Sequence, residues 1–359
     1  MMLPRPEITD ALGIGYRRIP ILAIGNDVFC DTNLIVSAVE RCFPVSQGFP
    51  TLFPDRKDGG KGDTGIIELL AAFYVDRPLF SLASTALPYD KFSPEFIEDR
   101  SKLFGTPMDI QKMVARKPVA MSLLSSHMNY LEKQLSDGRE WIFDTTTVGY
   151  ADLDLHHIFG WIMRFRGMKQ VITPEKFPRS IATYLEKQLS DGREWVFDTT
   201  TVGYADLDLH HIFGWIMRFR GMKQVITPEK FPRSIAWMQR MAEFEKAKRE
   251  ANAPDVTKID GSAAAKIIAD NADERLNEVS FDQDEAKLLG LKLGEKVQVI
   301  PDDNYQFAAT NYPTIGDLVG FSREEMVLRL EGTAVSSLCC HFPRLNYTVT
   351  PVAPASSKL

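Results

Sequence analysis

The sequence predicts a mixed α and β fold, mainly α, in three consecutive parts, and three observations predict it. Two short apolar runs flanking Gly25-Asn26-Asp27 lead into an amphipathic run, which makes a β-β-α unit of residues 1–46. From 59 to 251 apolar residues recur at helical spacing with Pro and Gly breaks, which predicts an all-helical region. Past Pro254 the spacing changes to short alternating runs, which predict a small β-rich domain over 262–352 and a Pro/Ala/Ser tail over 353–359.

Each element has a local reason. "RRIPILAIG" and "DVFCD" are strand-like on either side of the turn, and "TNLIVSAVERCF" follows with helical periodicity. In the helical region "PVAMSLLSSHMNYLEKQL" runs without a breaker until "SDG", a turn signal. "GYADLDLHHIFGWIM" then sets Leu155, Ile158, Phe159 and Ile162 at i, i+3, i+4 and i+7, the face of a core helix. Asp152 and Asp154 fall in its first turns, where carboxylates accept from unpaired N–H groups and favour the positive end of the dipole. "FPRSIAWMQRMAEFEKAKREA" is a further amphipathic helix. In the last part "SAAAKIIADNADE" reads as a helix, and "EKVQVIP", "GDLVGFS", "EMVLRLE" and "NYTVTPV" read as strands.

Residues 130–182 and 184–236 are the same segment twice, differing only at Ile142 against Val196, so a duplication divides the helical region into 130–183 and 184–237. Solenoids usually stack at least three divergent units between atypical caps, and two near-identical copies do not fit that pattern. The doubled stretch therefore reads as a segmental duplication, or an error of gene structure, laid over an ordinary helical domain. Interiors are close-packed, so only one copy of the core helix can fill its position. Copy one, at 149–163, is expected inside because a long helix runs straight into it, and copy two, at 203–217, outside; the reverse is the alternative, because the exit helix "FPRSIAWMQRMAEF" is intact only after copy two.

The chain of 359 residues carries a net charge of -6 and has no Lys/Arg cluster, which argues against a nucleic-acid footprint. No apolar run is long enough to span a membrane, and "MMLPRPEITD" lacks the features of a secretory signal, so a soluble intracellular protein is expected. Cys30, Cys42, Cys339 and Cys340 have no metal-ligand spacing and read as reduced thiols. Asp152 and His156 are i, i+4 on one helix face but have no third ligand nearby, so no metal is expected. The ending Ser357-Lys358-Leu359 matches a peroxisomal address read by an import receptor, with the cytoplasm as the alternative.

The order of these parts resembles a glutathione S-transferase, and more narrowly the glutathione S-transferase-like proteins of filamentous fungi that carry an extra C-terminal β-rich domain. The residues that carry it are "YRRIPILAIGNDVFCDTNLI", "VGYADLDLHHIFGW" in both copies and "HFPRLNYTV". The resemblance implies a partial thioredoxin-like domain at 1–46, a helical bundle of the transferase C-terminal type at 59–251, and glutathione as co-substrate. It implies that Ile19 and Pro20 form a cis-proline turn whose backbone meets the cysteinyl part of glutathione, whereas the sequence read alone favours a trans proline opening an edge strand. It implies that Asp31 and Thr32 bind the γ-glutamyl group, Asp31 taking the ammonium and the helix N-terminus the carboxylate. The pair fits equally a helix cap without a ligand.

The chain departs from the family in two places. The strand and helix that carry the family's thiolate-stabilising Ser, Cys or Tyr are expected ahead of "LPRPEI", so the catalytic residue is unknown, and Tyr16 is not assigned that role. Gly149 and Gly203 stand where the family has Ser or Thr at the helix start, leaving Asp152 and Asp206 as half of a capping box. His341 and Arg344 suggest an anion site, yet a turn between strands explains them as simply, and no function is assigned. Three readings follow: a transferase conjugating small electrophiles, also as a homodimer; a non-catalytic binding or scaffold protein whose β-rich domain is a partner surface; and a truncated, duplicated relative without activity.

Overall fold

The computed structural model describes residues 5–162, 189–195, 257–271, 279–302 and 312–352, apart from 105, 140 and 336, with scattered positions between 232 and 250. The helices in chain order are α1 Pro6–Thr9, α2 Thr32–Cys42, α3 Thr64–Leu69, α4 Ser81–Thr85, α5 Pro94–Phe104, α6 Ile110–Gln134, α7 Tyr150–Ile162, α8 Gly261–Asp270 and α9 Gln283–Leu288. A wide, π-type segment, Leu70–Phe80, joins α3 to α4 and leaves helical geometry at Arg77, before Pro78. The strands are β1 Ile21–Ile24, β2 Asp27–Cys30, β3 Lys296–Pro301, β4 Thr314–Phe321, β5 Glu325–Leu330, β6 Leu338–Pro343 and β7 Tyr347–Pro351. The fold is mixed α and β, with a β-rich C-terminal region.

Two compact units divide the chain. One comprises Met1–Thr51, Lys91–Asp109 and Lys258–Leu359; the other comprises Leu52–Asp90 and Ile110–Thr257. The first is organised by a single seven-stranded sheet in the order β1-β2-β6-β5-β4-β3-β7. Neighbouring strands are antiparallel except β2 and β6, which run parallel with Asp27, Val28 and Phe29 opposite Cys339, Cys340 and His341.

This differs from the expected separation of 1–46 from 262–352. A two-stranded hairpin is at best marginal on its own. Strand β2 is buried at all four positions, so it needs a neighbour on its second edge, and β6 supplies it. Strand β6 is not among the strands that the sequence predicts, where His341 and Arg344 suggest an anion site or, as simply, a turn between strands. Its first five residues are all buried, so the period-2 alternation that marks a half-exposed strand is missing. The expected helical region is also interrupted, because α5 belongs to the unit that contains the sheet.

Phe321, Phe342, Ile14 and Leu328 lie at the centre of the sheet's core, and α8 covers part of it with Ala265 and Ile268. Residues 10–14 run against the loop before β6: the Thr333 N–H donates to Asp10 O at 2.9 Å, and the Ala334 N–H donates to Ala11 O at 3.1 Å. A Cβ on Gly332 would come within 2.2 Å of Ala11 O, so this approach requires glycine.

In the second unit Leu79, Leu124, Leu155 and Ile158 share one core, so the helix of copy one, α7, occupies an interior position. Truncating any one of these leucines to alanine should cost about 2–5 kcal/mol. The start of α7 is held by Asp152, which accepts from the Gly149 N–H at 3.1 Å and the Ile142 N–H at 2.8 Å. That is the carboxylate half of a capping box, working without the side-chain half. Burial, the largest influence, raises the Asp152 carboxyl from 3.8 to about 6 against the opposing effect of these N–H groups. The copy-two helix at 203–217, with Asp206, lies outside the described residues, as does the tail 353–359.

Candidate functional site

The hairpin brings the four residues singled out in the sequence to one place. Ile21 pairs with Cys30, so Pro20, one step before β1, stands beside Asp31, one step after β2. Gly25, at φ 58°, makes the return turn between the strands. The Ile19–Pro20 bond is cis, and Ile19 is 53% exposed. Asp31 is the N-cap of α2, and Thr32, its first helical residue, is exposed.

Asp31 has φ 83°, a left-handed conformation that few residues other than glycine adopt and that Asp tolerates through local hydrogen bonds. Two donors hold it. Asp31 Oδ1 accepts from the Asn33 N–H at 3.0 Å, which is the ordinary capping bond. Asp31 Oδ2 accepts from the Tyr347 hydroxyl at 2.9 Å, which comes from the far end of the sheet's chain, on β7. Tyr347 also packs against Tyr16, with ring centroids 6.4 Å apart and the planes tilted by 40°. Burial first, and then the charge of Asp31, push both phenols up, while Arg18 opposes the shift. Both phenols are therefore neutral at ordinary pH. Tyr16, only 5% exposed, supports Tyr347.

Tyr347 was not singled out in the sequence. It is separated from Asp31 by 316 positions, and no local pattern connects a tyrosine in "NYTVTPV" to a helix cap at residue 31.

A second polar cluster lies beneath the hairpin. His341, on β6, is fully buried and stacks on Phe29 with ring centroids 4.5 Å apart. Its Nδ1 meets Glu325 Oε1 at 2.6 Å and its Nε2 meets Asp27 Oδ1 at 3.0 Å. Arg41 of α2 pairs with Glu325 Oε2 at 3.2 Å. Burial alone would lower the imidazole, but the hydrogen bonds and charges of Asp27 and Glu325 outweigh it and raise His341 above its ordinary value. Arg344 is elsewhere engaged, stacked over Phe321 at 4.1 Å and donating to Ser322 O at 2.8 Å. His341 and Arg344 thus do not form a common anion site.

The four cysteines are free thiols; Cys30 Sγ and Cys340 Sγ are 3.8 Å apart across the β2–β6 seam, both fully buried. Among the described residues, no three His, Cys, Asp or Glu side chains come together as a metal site, and no helix is long and apolar enough to cross a membrane.

A family described as a domain of unknown function, DUF7962, matches residues 81–185 and 179–253. The junction of the two copies, Thr183 to Tyr184, falls in the overlap of the two matches. No curated protein matches the chain. Among solved structures the chain is similar to a GST-like protein from Pseudomonas syringae, at 21% identity and a TM-score of 0.49, over 98% of this chain and 87% of that one.

Proposed function

We propose that this protein binds glutathione at the open end of the β1–β2 hairpin. The backbone of Ile19 and Pro20 would meet the cysteinyl part, the Asp31 carboxylate would take the γ-glutamyl ammonium, and the N-terminus of α2 with Thr32 would take the γ-glutamyl carboxylate. One observation carries the reading: the strand register sets Pro20 beside a capping carboxylate whose Oδ2 is held by a neutral phenol. A carboxylate fixed in this way is preorganised for a compact cation, and the adjacent free end of a helix suits an anion, so together they suit an amino-acid zwitterion.

Conjugation of small electrophiles is the extension of this reading. It requires a group that stabilises the glutathione thiolate, and Tyr16 is not that group, because it is buried. The alternative of a non-catalytic binding protein shares the same ligand site. Assembly as a homodimer and peroxisomal import through Ser357, Lys358 and Leu359 belong to the same proposal; loss of import on deleting the three residues tests the latter. Calorimetric titration with reduced glutathione tests the binding itself. Saturable binding that weakens on Asp31→Ala is expected, and no heat of binding to the wild-type chain would refute it.

A further inference from the structure

Between α9 and β3 the stretch "KLLGLKLGEK" contains four leucines, and the core uses one of them. Leu291 is 5% exposed and packs in the core of the sheet, whereas Leu288, Leu289 and Leu293 are 80%, 48% and 61% exposed. The backbone fixes this division. Helix α9 ends in a Schellman motif, in which the Leu291 N–H donates to Ala286 O at 2.9 Å and the Gly290 N–H donates to Lys287 O at 3.2 Å, with Gly290 at φ 69°. A turn follows at once: the Glu295 N–H donates to Lys292 O at 3.2 Å, and the Glu295 carboxylate accepts from the Lys292 N–H at 2.6 Å. The Gly294 N–H then ties the turn to β4, 2.8 Å from Leu318 O. The three outer leucines are thus held out by ordered turns.

Lys287 and Lys292 flank these leucines and are exposed, and neither has an ion pair among the described residues. The acidic groups nearby are engaged. Asp282 caps α9, Glu285 pairs with Arg323 at 3.2 Å, and Asp317 pairs with Lys296 at 3.1 Å. Asp284 is exposed but stands at the start of α9, a turn back from Leu288. Both lysines and Leu293 line an open concavity of about 450 Å³ together with Phe281 and Leu291.

We propose that this turn is a membrane-contact site, which inserts Leu288, Leu289 and Leu293 into the surface of a bilayer containing anionic phospholipid while Lys287 and Lys292 meet the phosphate groups. Leu288 has almost no protein to pack on, and entry into the acyl region removes its side chain from water. A lysine carries a compact charge on an apolar stem, so the stem follows the leucines into the interface while the ammonium stays among the headgroups. A fluid bilayer receives a protruding tip without a preformed pocket, whereas a protein partner would need a groove shaped to it. The tip also has no Trp, Tyr or Arg, the side chains that dominate protein–protein contacts. Such a contact holds the protein on the surface without spanning it, and it is independent of the cap at Asp31.

Vesicle flotation tests the contact with the full chain. Vesicles of phosphatidylcholine alone would be compared with vesicles in which part of that lipid is replaced by phosphatidylserine. Binding to the phosphatidylserine vesicles is expected, weakening as salt is raised, and about tenfold weaker binding to phosphatidylcholine alone. Leu288→Ser combined with Leu293→Ser should lower the affinity about tenfold or more. Lys287→Gln combined with Lys292→Gln should lower it about tenfold and remove most of the salt dependence. All four side chains are exposed, so both double variants should melt like the wild type. Leu345→Ser, which changes a leucine 48% exposed between β6 and β7, should bind like the wild type. Absence of binding to the phosphatidylserine vesicles would overturn the membrane contact and leave a protein groove as the partner of the tip. Binding that either double variant leaves unchanged would overturn it as well.

Discussion

Tyr347 and Asp31, 316 positions apart, are joined by a hydrogen bond of 2.9 Å from the phenol to the capping carboxylate. The last strand of the sheet thereby fixes a residue at the start of the first long helix. The C-terminal strands thus help to form the candidate ligand site and are not an appendage to it.

Replacing Tyr347 with Phe removes the donor and leaves Asp31 Oδ2 without its partner. A buried group so orphaned costs about 1–3 kcal/mol, so Tyr347→Phe should lower the melting temperature while preserving the fold. Glutathione affinity should fall about tenfold, the equivalent of one hydrogen bond to a charged group. Calorimetry and thermal melts measure the two effects. Unchanged affinity would mean that the phenol supports the sheet and not the ligand.

Asp152 makes stability of the helical unit depend on pH. Its carboxyl is raised from 3.8 to about 6 in the folded state, so the stabilisation is complete below about pH 4 and is lost as pH rises through about 6. The whole change is on the order of 3 kcal/mol. In Asp152→Asn that slope should disappear. The amide is a neutral counterpart of the protonated carboxyl, so the variant should be about as stable as the wild type at pH 4 and more stable than it near pH 7. Melting temperatures across that range decide it; a slope retained in Asp152→Asn would assign it to another group.

The duplicated segment yields a deletion test. With α7 of copy one already inside the core with Leu79 and Leu124, a second identical helix has no vacancy there. Deleting residues 183–236 joins Ala182 to Trp237 and leaves one complete copy. Thermal stability and solubility should hold or rise. Unfolding of the shortened chain would mean that copy two has become part of the fold.

Much of the fold was legible because it is local. The β1–β2 hairpin, α2, α6, α7 and strands β3, β4, β5 and β7 all follow from runs of a few residues with a clear period and a breaker at each end. Strand β6 was not legible, since "LCCHFP" alternates nothing and its partner β2 lies about 300 residues away. The same holds for the candidate site. Asp31 announces itself as a cap by standing before a helix, whereas Tyr347, His341 and Glu325 acquire their partners only when the sheet is assembled. Buried polar residues of this kind look like ordinary strand or turn residues until the non-local pairing is known.

The account's central claim is that Asp31 receives the γ-glutamyl ammonium of glutathione, and one comparison tests it most directly. Wild type and Asp31→Ala would each be titrated with glutathione and with its analogue in which the γ-glutamyl amine is replaced by hydrogen. The account predicts that the wild type prefers glutathione by about tenfold or more, and that Asp31→Ala loses this preference while keeping the weaker affinity for the analogue. Equal affinity of the wild type for both peptides, or a preference that survives Asp31→Ala, would contradict it.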